Sequence, residues 1–249
     1  MRSTRAFQAA VVVCAGVLLT GCARQGVETA VAVNDVPSYS IQRARGPIEV
    51  DASLGEAEWG RAGEIELVFP WWDQSKGPKD KTRVKLLWDE SHLYLGYVCK
   101  DPHISAYVTR RDGNTCSDDC VEVFIAPDPQ NVGDYYGFEI NAAGVVCDYA
   151  HPSGGQLDVA WDSEGIQVAV DIEGTLNDDS DRDTTWVVEV SIPFSSFPAG
   201  TPRSGDMWRL NLNRCGGEAK RQYSQWSSSK TPAPNFHVPE RFGELFFVE

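Results

Sequence analysis

Between residues 83 and 248, short runs of alternating or β-branched apolar residues recur between clusters of Gly, Pro, Asp and Asn. Alternation with a period of two is the mark of a half-buried strand. It predicts strands over 83–88, 93–99, 121–126, 135–141, 144–149, 166–172, 186–192, 207–213 and 244–248. Asp89-Glu90-Ser91-His92 and Asn141-Ala142-Ala143-Gly144 read as hairpin turns. No window of a dozen residues carries a helical stripe, and 54–62 predicts only a short helical turn. Many short strands with regular turns imply an all-β fold, a single antiparallel β-sandwich with jelly-roll or immunoglobulin-like layering and little helix, over residues 46–249. Neither an internal repeat nor a second domain boundary is visible.

The same alternation sorts side chains onto faces. In 121–126, Val121, Val123 and Ile125 share one side and Glu122 points to the other. In 135–141, Tyr136, Phe138 and Ile140 oppose Tyr135, Glu139 and Asn141. In 207–213, Trp208, Leu210 and Leu212 alternate with Arg209, Asn211 and Asn213. Three strands therefore join an apolar side to a side of Glu, Asn and Arg, groups that suit bidentate contact with vicinal hydroxyls. The alternative is a merely solvated face.

The first residues obey a different pattern. Arg2 and Arg5 precede an apolar run over 9–20, which ends in Leu19-Thr20-Gly21-Cys22. This predicts a signal peptide over 1–21. The four closing residues resemble a bacterial lipobox, which implies cleavage before Cys22 and a lipid on its sulfur. Such a chain is anchored to a membrane rather than spanning it, because the apolar run is short of the roughly 20 residues a span needs. Residues 22–45, polar and poor in large apolars, predict a flexible tether. The expected location is the bacterial cell envelope, lipid-anchored, facing the periplasm or the exterior.

Charge narrows the partners. The chain has 36 acidic and 22 basic residues. Loss of Arg2 and Arg5 with the signal leaves 20 basic against 36 acidic residues, a formal charge of −16. That argues against nucleic acid. Beyond Cys14 and Cys22, five cysteines remain: Cys99, Cys116, Cys120, Cys147 and Cys215. Export permits disulfides, and Cys116 and Cys120 are spaced to pair across a loop. Zinc is the rival for these cysteines, without a C-x2-C pair to support it.

A family resemblance gathers these signals. Val50-Asp51-Ala52-Ser53-Leu54-Gly55-Glu56, with Trp59 and Ala62, resembles I-D-G-x-L-D-E-x-x-W-x-x-A, departing at Ala52 and Gly55. Trp88-Asp89-Glu90-Ser91-His92-Leu93-Tyr94 with Asp101-Pro102 is similar to the hairpin that follows in the family. Asp118-Asp119-Cys120-Val121-Glu122-Val123-Phe124 resembles D-D-S-V-E-x-F. Tyr135-Tyr136-Gly137-Phe138-Glu139-Ile140-Asn141, with Gly144 and Asp148, resembles Y-Y-x-F-x-x-N-x-x-G-x-x-D. Trp186 to Phe194 resembles W-x-x-E-x-x-I-P-F, and Phe236 to Gly243 resembles F-H-x-P-x-x-F-G. Six segments in this order resemble the family 9 carbohydrate-binding modules. The resemblance implies a β-sandwich that binds a sugar between two tryptophans and catalyses nothing. It also implies structural calcium. Glu122 and Asn141 fall on the family's binding Glu and Asn, Asn211 near its Gln, and Glu139 where it has Arg. Cys116 and Phe236 stand where the two clamp tryptophans would be.

A pyranose lays its C–H face on an aromatic ring and leaves its hydroxyls free for hydrogen bonds. Trp72 (with its neighbour Trp71), Trp226 and Phe236 are the aromatic candidates. The sugar-binding set expected from sequence is Glu122, Glu139, Asn141, Arg209, Asn211, Trp72, Trp226 and Phe236. Asp179, Asp181 and Asp183, in the densest run of acids, are the calcium candidates, against a solvated turn. Hydrolysis would need two carboxylates flanking a glycosidic bond, and nothing marks such a pair. Two other readings stay open: a partner-docking sandwich with no small ligand, and a haem b domain of a redox system with Met207, His151 or His237 as axial ligands. Glycan-degrading enzymes are the expected partners of the sugar reading.

Overall fold

Twelve strands form the sheet within the described residues, which are 35–72, 77–216 and 221–249 of a computed structural model. The expected signal peptide, Cys22 and the first part of the tether lie outside them. The strands are β1 (Ser38–Arg43), β2 (Glu64–Glu66), β3 (Thr82–Trp88), β4 (His92–Lys100), β5 (Cys120–Ala126) and β6 (Tyr135–Asn141), followed by β7 (Val146–His151), β8 (Gln167–Glu173), β9 (Thr185–Pro193), β10 (Met207–Cys215), β11 (Tyr223–Gln225) and β12 (Gly243–Val248). They hydrogen-bond in the order β7-β6-β5-β10-β12-β1-β3-β4-β9-β8, with β11 on β10 and β2 on β3. The sheet curls on itself, so β5, β6 and β10 lie across one core from β3, β4 and β9. Val121, Val123, Phe138 and Leu210 share that core with Leu86, Leu95, Trp186 and Val188. Tyr97 ties the layers directly, its hydroxyl donating to the Glu122 backbone oxygen at 3.1 Å. This is the all-β sandwich that the alternation predicts.

The tether expectation is corrected at its C-terminal end. Ser38–Arg43 forms β1, parallel to β12 and to β3. Ile41 is fully buried and Tyr39 packs on the core, while Ser38 and Gln42 look outward or sit at the edge. Two inward positions suffice for a strand whose ladder is completed by both neighbours. A composition averaged over two dozen residues conceals them.

The motif acids serve as loop clamps. Glu189 on β9 accepts from the Asp51 and Ala52 amides (3.1 and 2.9 Å) and from Trp59 Nε1 (3.1 Å), fixing the 50–59 segment to the sheet. The clamp holds Ala52 at φ 66, in the left-handed region that a glycine fills at this place in the family motif. Asp119 accepts the Ser105 amide and hydroxyl at 2.9 and 3.0 Å. Arg214, buried in β10, reaches Asp101 (2.5 Å), Thr82 Oγ1 (3.1 Å) and the Lys100 oxygen (2.9 Å). Burial, and then the nearby Asp101 carboxylate, push the Asp119 carboxyl up to about 7.

The calcium and disulfide expectations also change. Asp183 accepts the Ile104 and Thr175 amides, each at 2.7 Å, and Asp181 accepts the Thr175 hydroxyl at 2.9 Å. Asp179 stands exposed. The three acids do not converge. Among the described residues, ligating atoms gather within 4.8 Å in two other sets, Cys120–Glu122–Glu139 and Asp112–Asp148–Asp162. The second surrounds Arg111, which bonds Asp148 at 2.6 Å and Asp162 at 3.0 Å and so takes the place of a cation. All five cysteines, Cys116 and Cys120 included, are free thiols.

Candidate functional site

The face of β5, β6 and β10 turned away from the main core builds the site. Antiparallel register sets Glu122 directly opposite Glu139 on one side and Asn213 on the other. It also sets Cys120 opposite Cys215. Directly opposed residues bring their Cβ atoms to roughly 4.5–5.5 Å. Glu139, Glu122 and Asn213 therefore form a polar row across three strands.

This row is buried, which decides its electrostatics. Glu122 is 3% exposed and Glu139 9%. Glu139 accepts the Thr115 hydroxyl at 3.1 Å and the Tyr149 hydroxyl at 3.3 Å. Glu122 Oε1 accepts the Cys215 thiol at 3.2 Å. Burial first, and the facing Glu139 second, hold the Glu122 carboxyl well above the usual range. Burial also raises Glu139. Two neighbouring carboxyls in a dry site retain a proton between them. Asn213 is fully buried, and neither its amide oxygen nor its nitrogen has a partner. Leaving such an amide unpaired costs about 1–3 kcal/mol, so it is the least satisfied side chain of the face.

Aromatic residues rim the row. Phe236 packs with Trp71 at 5.8 Å between ring centres and with Tyr223 at 6.0 Å. Trp71, Tyr223, Cys116 and Cys147 are half-buried around the apolar cluster of Phe124, Tyr149 and Phe242. Arg221 closes one side. Its guanidinium lies 5.4 Å from the Tyr223 ring centre and donates to the backbone oxygens of Ser117 (2.8 Å), Gly216 (2.9 Å) and Cys116. Its charge pulls the Glu122 carboxyl partly back down.

The sequence-predicted set is divided by this geometry. Glu122, Glu139 and Phe236 come together. Asn141 is fully buried and makes four bonds: to the Val108 oxygen (2.9 Å), to Asp118 (2.8 Å) and from the Ala143 and Val145 amides (3.2 and 2.9 Å). Asn211 is clasped by Ser227, donating to its oxygen at 3.0 Å and accepting its amide at 2.8 Å. Arg209 donates to the Phe242 oxygen at 2.9 Å and to the Glu240 oxygen at 3.2 Å. These three side chains spend their hydrogen bonds on loops and have little left for a hydroxyl. Trp226 packs on the main core, its ring occupying the space where Gly243 has no Cβ. Trp72 meets Phe69 edge-on at 6.1 Å and Trp71 takes the rim instead. The haem candidates have protein partners: His237 bonds the Tyr135 hydroxyl at 2.7 Å and stacks on Phe124, His151 stacks on Tyr135, and Met207 pairs with Phe246.

Asn213, Arg221 and Tyr223 complete the site and were not selected from sequence; Trp71, a candidate there beside Trp72, joins them. Asn213 shares its strand face with Asn211, two positions away. Only the pairing of β10 with β5 shows which amide faces Glu122. A cavity of about 480 Å³ lies elsewhere, at the strand ends near Arg214, Asp101, His103 and Arg182. Its lining is ionic, with Phe69 as its ring.

Comparison with known proteins fits this architecture. Three solved structures share the fold. A putative carbohydrate-binding protein from Bacteroides uniformis ATCC 8492 superposes with a TM-score of 0.69 at 19% identity, covering 85% of this chain and 99% of that one. A family 9 carbohydrate-binding module from Caldicellulosiruptor kristjanssonii, in complex with cellotriose, gives 0.59 at 14% identity over 85% of this chain and 93% of that one. The same organism's module with glucose gives 0.55 at 14% identity over 84% and 95%. No curated protein matches the chain. The family described as carbohydrate-binding family 9 matches residues 50–247, from the Glu189-clamped turn into β12, and the chain belongs to that family.

Proposed function

We propose that the protein binds carbohydrate, without cleaving it, on the face of β5, β6 and β10. Family membership and the complexes of structural neighbours with cellotriose and glucose support the chemistry. The observation that carries the placement is the Glu139–Glu122–Asn213 row beneath the Trp71, Tyr223 and Phe236 rim. Asn213 has an unused donor and acceptor, and a half-buried ring stands beside each end of the approach. A pyranose stacked on the rim presents hydroxyls to that row. Arg221 and Phe236 cover the row, so binding requires rim side chains to turn outward.

The carboxyl pair does not suit hydrolysis. A retaining glycosidase sets one ionised nucleophile against one acid about 5–5.5 Å away across a bond. Here both carboxyls are pushed up by burial and share one dry pocket.

Calorimetry with glucose and cellotriose tests the reading. Asn213→Ala should weaken binding at least tenfold, and Trp71→Ala likewise. Absence of heat at millimolar sugar by a folded protein would leave the partner-docking reading in its place.

The lipobox supports anchoring of this module through Cys22 in a bacterial envelope, where glycan-degrading enzymes are its natural partners. Cys22→Ser should yield a product lighter by the mass of the lipid and recovered in the soluble fraction. An unchanged mass would remove the anchor from the account.

A further inference from the structure

We propose that the thiol–carboxylate cluster at the centre of this face binds one zinc-like divalent transition-metal ion. Cys120, Glu122 and Glu139 supply three ligands and Cys215 the fourth. The Cys120 sulfur and one oxygen from each glutamate lie within 4.8 Å of one another. The Cys215 sulfur is 3.2 Å from Glu122 Oε1. Tetrahedral zinc, with bonds of about 2.0–2.3 Å, sets its ligand atoms roughly 3.3–3.8 Å apart. The Cys120, Glu122 and Glu139 atoms need to close by about an ångström to meet an ion, and Cys215 approaches from the Glu122 side.

The ligands stand on rigid elements. β5 carries Cys120 and Glu122, β6 carries Glu139 opposite Glu122, and β10 carries Cys215 opposite Cys120. All four are nine-tenths or more buried. Among the described residues, no lysine or arginine forms an ion pair with either carboxylate. Arg221, the nearest guanidinium to act on Glu122, spends its donors on three backbone oxygens and the Tyr223 hydroxyl. Among the described residues, the Arg221 charge acts on Glu122 without pairing with it, so the two buried acids remain costly and an ion lowers that cost. Thiolate in the set selects a zinc-class ion over calcium or magnesium.

An independent observation points the same way. Asn213, opposite Glu122 on β10, is fully buried with both amide atoms unpartnered. Thr115 and Tyr149 already donate to Glu139. Metal-bound carboxylates are held by such outer hydrogen bonds. An ion that draws Glu122 into fixed geometry gives the Asn213 amide a settled partner. Half-buried Cys116 and Cys147 border the cluster.

Binding displaces protons, since the Cys120 and Cys215 thiols are held well above their usual range by burial. Affinity should therefore rise about tenfold per pH unit for each proton released.

The test uses the full chain, reduced with a phosphine and stripped with chelator, then titrated with Co²⁺ in the absence of sugar. One equivalent should bind, with thiolate-to-cobalt charge-transfer absorption in the near ultraviolet, and Zn²⁺ should displace it. Cys120→Ser and the near-isosteric Glu139→Gln should each weaken binding at least tenfold. Cys99→Ser, in the main core, should not. Circular dichroism checks each fold. Lack of cobalt binding by a folded chain overturns the proposal. So does binding indifferent to Cys120→Ser and Glu139→Gln, or peptide mapping that finds Cys120 joined to Cys215 as a resident disulfide. The sugar titrations are run with chelator present, so the two proposals succeed or fail separately.

Discussion

At the residue scale, the decisive chemistry is a pair of buried carboxyls beside an amide with nothing to bond. Glu122 keeps its proton in the folded chain above the pH at which the unfolded chain releases it. A raised folded pKa in an acid means that the native state binds more protons, so stability falls as pH rises above the ordinary carboxylate range. Glu122→Gln removes that dependence. The metal-free variant should exceed the wild type by about 1–3 kcal/mol at pH 8, the scale of one buried uncompensated group, and by little near pH 4. Denaturant melts at the two pH values check this; an equal gap at both would show that the carboxyl ionises freely in the fold. The two asparagines should behave oppositely. Asn141→Ala strands Asp118 and three backbone groups, and should cost about 2–4 kcal/mol. Asn213→Ala removes an amide that bonds nothing, and should change stability by less than about 1 kcal/mol while weakening sugar binding. Thermal melts of both variants, set beside calorimetry, separate the clamp from the contact.

At the element scale, strand alternation was legible and strand pairing was not. The sequence pattern marks β5, β6 and β10 and sorts their faces, and the structure keeps that sorting: Val121, Phe138 and Leu212 go to the core and Glu122, Glu139 and Asn213 to the other side. Register is a tertiary property, set by how one strand seats on another. For that reason Asn211 was selected from sequence in place of Asn213, although both share the polar face. Polar residues on a strand look alike in sequence whether they clamp a loop, as Arg209 and Asn211 do, or form a buried row, as Glu122 and Glu139 do. The ion pair of Arg214 with Asp101 joins β10 to the end of β4. Breaking a buried pair leaves a charge unsatisfied and typically costs about 3–5 kcal/mol. Arg214→Ala should fall in this range by denaturant melting, and a loss below about 1 kcal/mol would show that Asp101 finds another partner.

At the scale of the whole molecule, the sandwich and the family were legible because six motifs recur in order, and their acids and glycine-like turns have structural work that fixes them. Glu189 and Asp118 hold loops. The proposed ligand face is the part that the motifs describe least, since two of its three rim aromatics arrive from segments outside them. Trp71 comes from the loop after β2, and Tyr223 from the short β11. Such a face is rebuilt by loop exchange while the clamps stay in place, which is how one fold supports different sugar specificities.

The central claim is that saccharide meets this rim. The indole N–H signal of Trp71, which donates to the Thr231 oxygen at 2.8 Å, reports it directly in a two-dimensional NMR titration of the full chain with a panel of mono- and oligosaccharides that includes glucose and cellotriose. The account predicts that the Trp71 signal moves saturably with at least one sugar and that the indole of Trp186, sealed in the main core, stays in place. A Trp71 signal that does not move at millimolar concentrations of every sugar, or a shift of Trp186 alone, would contradict it.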